Sequence, residues 1–206
     1  GAGGAVEQTL SFGERPTSDV VGVTRDTHLW EDEPTFNYGT SGFIRVDASP
    51  LDRGLLAFDL SSIPVTATVT SAALSLWTRT CFLCNGFDGT VELHLLVESW
   101  DEGSENGTFG AASWNQRVSF ESWSDPGAGP SSVTAAAVGA FQPANLDTEY
   151  VTALDVAVVQ GWISDPDSNH GFRLSAISST GDSIRLHSKQ STAEDWRPEL
   201  RVTYLP

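Results

Sequence analysis

The chemistry-bearing residues of this sequence are mostly acidic. Asp165-Pro166-Asp167-Ser168-Asn169 sets Asp165, Asp167 and Asn169 at alternate positions of one segment, and hard cations collect oxygen ligands spaced in this way. Glu31-Asp32-Glu33 forms a second cluster, Asp101-Glu102 a third that continues through Glu105-Asn106, and Asp26 is a further single carboxylate. Calcium is the ion these groups suit, with Asp26, Glu31, Asp32, Asp101, Glu102, Asp165, Asp167 and Asn169 as its candidate ligands. No cluster completes a calcium-loop motif, since the 165–169 segment lacks the Gly and the distal Glu of an EF-hand. Asp, Asn, Ser and Pro also favour turns, so any single cluster reads better as a turn.

Other chemistry is sparse. There is no Gly-x-Ser-x-Gly elbow, and neither cysteine sits in a protease-like setting, so the chain reads as non-catalytic. His28, His94, His170 and His187 lie far apart and form no zinc motif. Cys81-Phe82-Leu83-Cys84 has redox-motif spacing but precedes Asn85-Gly86 rather than opening a helix, so a local Cys81–Cys84 disulfide is expected. Seven Trp invite sugar stacking, because a flat ring packs against the C–H face of a sugar. Trp30, Tyr38 and Trp123 lie in polar contexts and are the candidate exposed platform. Trp100, Trp114 and Trp162 are assigned to the core, and Trp77 and Trp196 fit either place.

The chain has 206 residues, with 27 acidic against 11 basic side chains and a net charge of −16. Charged residues are 18% and hydrophobic ones 39%, the composition of a folded domain rather than a disordered polyelectrolyte. That charge rules out most sequence-independent nucleic-acid binding and disfavours docking on an anionic membrane. No apolar run approaches the ~20 residues of a spanning helix, so membrane insertion is not expected. The absence of Met suits a trimmed, exported protein, and the expected location is extracellular or at the cell surface.

Short apolar or alternating runs separated by Gly, Pro, Asn and Asp predict the scaffold. Strands are expected over Val6–Phe12, Phe43–Val46, Leu55–Leu60, Val69–Trp77, Val91–Val97, Gly171–Ala176, Ser183–His187 and Glu199–Tyr204. Leu74, Leu76 and Thr78 face one way and Ser75, Trp77 and Arg79 the other. Leu93, Leu95 and Val97 are likewise set against Glu92, His94 and Leu96. A period of two with one wet face predicts an all-β, antiparallel β-sandwich. Only Thr152–Ser164 reads as a short helix, and Glu121 to Asn145 as a long loop.

Several blocks have a family look. They are Thr24-Arg25-Asp26-Thr27, Asn37-Tyr38-Gly39 and Leu55-Leu56-Ala57-Phe58-Asp59-Leu60-Ser61-Ser62-Ile63-Pro64, then Glu98-Ser99-Trp100, Ser113-Trp114-Asn115, Asn169-His170-Gly171-Phe172 and Arg197-Pro198-Glu199-Leu200-Arg201-Val202-Thr203-Tyr204. In this order they resemble the DNRLRE, or disaggregatase-related, domain, which overlaps a family of carbohydrate-binding modules. The resemblance runs from about Leu10 onward and implies a jelly-roll strand order and an extracellular, non-catalytic module.

Residues 13–206 are thus expected to form the sandwich. Residues 1–12 are read as its first strand or as a strand donated to a neighbouring copy. Val6, Leu10 and Phe12 share a face, and Gly1-Ala2-Gly3-Gly4 are small enough to cross a neighbouring surface closely. The functional expectation is a self-assembling subunit of a filament or surface structure, its partners being copies of itself and its charge screened by calcium. The alternative is a carbohydrate-binding module that meets a polysaccharide through Trp30, Tyr38 and Trp123.

Overall fold

The computed structural model describes residues 6–81, 84, 86–179 and 181–206. Along the chain, β1 is Gln8–Gly13, β2 Thr24–Trp30, β3 Phe36–Asn37, β4 Phe43–Ala48, β5 Leu51–Phe58 and β6 Thr68–Trp77. Then follow β7 Thr90–Leu95, β8 Thr108–Phe109, β9 Gln116–Val118, β10 Glu121–Ser122, β11 Gly139–Phe141 and β12 Glu149–Ala153. Helix α1 spans Val156–Ser164, and β13 Phe172–Ile177, β14 Ile184–His187 and β15 Glu199–Leu205 complete the order.

Two antiparallel sheets form the sandwich. One runs β1-β15-β6-β12; the other runs β11-β7-β13-β5-β4-β14, with β2 also paired to β5. With β2, β4 and β14 set aside, the connections after β1, β5, β6, β11, β12 and β13 all cross from sheet to sheet. The orders β1-β15-β6-β12 and β11-β7-β13-β5 are those of a jelly roll.

The inward residues follow the period of two. Leu74, Leu76, Leu200 and Val202 from the first sheet meet Leu56, Leu93, Phe172 and Leu174 from the second in one core. The run Leu55-Leu56-Ala57-Phe58 is buried throughout because β5 is covered on both faces. Leu56 and Phe58 enter the main core, while Leu55 and Ala57 pack under the 100–133 segment with Leu29, Trp100, Trp114 and Trp123. The alternation expected through Val97 fails at the end of β7: Leu96 is buried against this second cluster and Val97 is exposed.

The helix is shorter than the periodicity predicts. Glu149–Ala153 pairs with β6 as a strand, and Asp155 caps α1 by accepting the Ala157 N–H at 2.9 Å. Val159, Trp162 and Ile163 turn inward, with the Trp162 ring edge-on to Phe172 at 5.0 Å.

The N-terminal strand pairs within its own chain. β1 pairs with β15 from Gln8↔Tyr204 to Gly13↔Glu199, Phe12 is fully buried, and Leu10 packs against the same core. Val6 is exposed. Beyond β1 the sheet edge is partly closed: Val20 N–H donates to Ser11 O, Gly13 N–H to Val20 O, and Ser11 N–H to the Asp19 carboxylate. Edges capped in this way resist further strand addition. The Gly1-Ala2-Gly3-Gly4 segment lies outside the described residues.

Candidate functional site

A cleft of about 750 Å³ opens at the end of the sandwich where β2 begins, β5 ends and α1 closes. Phe58, Leu60, Ile63 and Trp162 give it apolar walls, and Thr24, Arg25, Asp59 and Asn169 add polar groups.

Local chemistry fixes these groups. Asp59 donates its backbone N–H to Val23 O and accepts the Ser61 N–H on Oδ1, the turn that Asp-x-Ser favours. Gly171 has φ +82, and a Cβ there would come 2.3 Å from Leu56 O. Only glycine allows this approach. The neighbouring residues are pinned as well: Asn169 Nδ2 donates to Phe58 O at 2.8 Å, and Trp100 Nε1 donates to His170 O at 2.8 Å. The Asn169-His170-Gly171 block is therefore a clip between the end of α1 and β5. With its amide nitrogen engaged, Asn169 Oδ1 has no hydrogen-bond partner among the described residues, and neither has Thr24 Oγ1. Thr24 is 3% exposed. Buried polar atoms are nearly always paired, so two buried oxygens without a partner on residues that line one cleft are unusual.

Behind Thr24 lies an ionic knot. Lys189, the sole lysine of the chain, donates from Nζ to Thr24 O at 2.9 Å and to Glu102 Oε2 at 2.6 Å. Its backbone N–H donates to Asp26 Oδ2, and the Asp26 N–H donates to Glu102 Oε1. Burial raises the Asp26 carboxyl from 3.8 to about 8, with the Lys189 N–H opposing and the Glu102 charge adding to the rise. The folded chain thus holds a proton that the unfolded chain releases, so Asp26 lowers stability as pH climbs from about 4 to about 8. Asp26→Asn keeps the acceptor for Lys189. Thermal melts between about pH 4 and about pH 8 should show its stability rising relative to wild type as pH increases; a constant difference across that range would contradict a raised Asp26.

Of the expected cation ligands, Asp26 and Glu102 do come together, but around the Lys189 ammonium and backbone. Asp165 and Asp167 are exposed, and Asn169 sits in the cleft with its amide on Phe58 O. Asp32 and Asp101 are exposed, and Glu31 accepts the Leu51 N–H. No three acidic, His or Cys side chains converge as metal ligands among the described residues.

The expected aromatic platform is corrected. Trp123 is buried in the second cluster and donates Nε1–H to Ser113 O. Tyr38 is buried, stacks on His28 at 4.3 Å and gives its hydroxyl proton to Glu33. Trp30 is half-buried with the Arg45 guanidinium 4.7 Å over its ring. Trp100, Trp114 and Trp162 are core residues as expected, while Trp77 and Trp196 stack on each other. The Cys81–Cys84 disulfide is present; Phe82, Leu83 and Asn85 lie outside the described residues.

No residue-type pattern marks Thr24, Arg25, Asp59 and Lys189 as one group. The one available signal was a single lysine among 27 acids, a cation with many competing partners. Neither a protein-family model nor a curated protein matches this chain.

Proposed function

We propose that this chain is a non-catalytic carbohydrate-binding β-sandwich that takes a neutral saccharide in the Thr24–Asn169 cleft. The observation that carries this reading is a cleft walled by Phe58 and Trp162 whose lining residues Thr24 and Asn169 each keep a buried side-chain oxygen, Oγ1 and Oδ1, without a hydrogen-bond partner among the described residues. A sugar offers both halves of that surface: hydroxyls that donate, and C–H faces that pack on apolar side chains. Arg25 and Asp59 add a planar donor and a planar acceptor at the same cleft, a combination that suits vicinal hydroxyls. The net charge of −16 disfavours an anionic glycan. The DNRLRE resemblance, with its extracellular setting, points the same way.

Thr24→Val tests this reading cleanly, because it keeps the shape and removes a hydroxyl that no protein group uses. Stability should be unchanged or higher by about 1 kcal/mol. In affinity electrophoresis through gels holding xylan, mannan, galactan or mixed-linkage β-glucan, wild type should be retarded by at least one, and Thr24→Val at least about tenfold less. Free passage of wild type through every gel, or equal retardation of the variant, would sink the proposal.

A further inference from the structure

We propose that Phe120 is the aromatic platform of this saccharide site, extending contact beyond the cleft along a longer chain; this rests on the cleft reading above. Phe120 is 84% exposed, the largest value among the exposed large hydrophobic residues. Its backbone has φ +67, a left-handed conformation that side chains bearing a Cβ resist. A turn at this position calls for Gly or Asn, and the core gains nothing from a ring in water. Neither the turn nor the core accounts for Phe, and strained exposed residues cluster where a protein meets its ligands.

The tip that carries the ring is well braced. β9 and β10 pair on either side of it, Gln116 Oε1 accepts the Phe120 N–H, and Arg117 bonds Ser99 and Glu121. Trp123, just after β10, anchors the hairpin in the second core. Arg117 also connects this hairpin to the cleft. His170, the neighbour of Asn169, has its pKa lowered by burial and then by the charges of Arg25 and Arg117. Arg25 Nη1 donates to Trp100 O at 2.9 Å and Arg117 Nη1 to Ser99 O at 3.0 Å, so the cleft edge and the hairpin hold consecutive carbonyls of one segment. A saccharide lying in the cleft meets this edge next. The exposed Phe120 ring offers sugar rings an apolar face to stack on.

Wild type, Phe120→Trp, Phe120→Ala, Phe120→Gly and Thr24→Val are compared in the same polysaccharide gels, with sedimentation of each free protein. Phe120→Trp should be retarded like wild type, whereas Phe120→Ala and Phe120→Gly should lose at least about fivefold in affinity. Phe120→Gly should melt no lower than wild type because glycine relieves the left-handed backbone, which separates lost binding from lost folding. Retardation of Phe120→Ala equal to wild type, with Thr24→Val impaired, would overturn the platform and leave the cleft standing. Free passage of wild type would overturn both. A shift in sedimentation from a larger species to monomer in Phe120→Ala would assign the ring to self-association and overturn the proposal.

Discussion

Phe12→Ala should lower the free energy of unfolding by about 3–5 kcal/mol, the cost of emptying a fully buried phenyl site. Phe12 is 0% exposed, stands opposite Leu200 in the β1–β15 ladder and belongs to the main core. Urea denaturation reads the loss, and the sedimentation coefficient of the folded variant should match wild type. A loss below about 1 kcal/mol would mean that β1 contributes little to its own sandwich, and would return residues 1–12 to a role between copies.

Lys189→Met should cost about 3–5 kcal/mol, because it removes the one cation that pairs with the half-buried Glu102 carboxylate among the described residues and leaves that charge without its counterion. The ammonium lies 2.6 Å from Glu102 Oε2 and also holds Thr24 O, so the start of β2 should loosen as well. Adding Glu102→Gln to Lys189→Met should recover part of the loss, since the orphaned charge is then gone. If the single variant melts like wild type, the knot does not organise the cleft.

The legible parts of the fold were those governed by one periodicity. β6 and β15 each bury one face and alternate accordingly, so Leu74, Leu76, Leu200 and Val202 could be read directly. β2 was missed because Thr24, Asp26, Thr27, His28 and Leu29 are all buried, so it shows no alternation. Its polar side chains include Asp26, which is satisfied by Lys189, 163 residues away in sequence, and no local pattern records that pairing. The jelly-roll order came from the resemblance rather than from any period.

The site was legible only in fragments. Asn169 suits an oxygen ligand by residue type, but Gly171 and the Phe58 carbonyl hold it as a cleft amide. Trp123 looked exposed because its neighbours are polar; the 100–133 segment folds back over β5 and buries it. Phe120 gave no sign in the sequence, since its exposure follows from the hairpin geometry around it.

The most direct test of the cleft is an amide-detected NMR titration with an oligosaccharide cut from whichever neutral polysaccharide retards the protein. Saccharide binding at this site predicts shifts concentrated at the Thr24 amide, the Asn169 side-chain amide and the Trp162 indole, absent in Thr24→Val. Shifts centred instead on the stacked Trp77 and Trp196, or no shifts at saturating sugar, would contradict it.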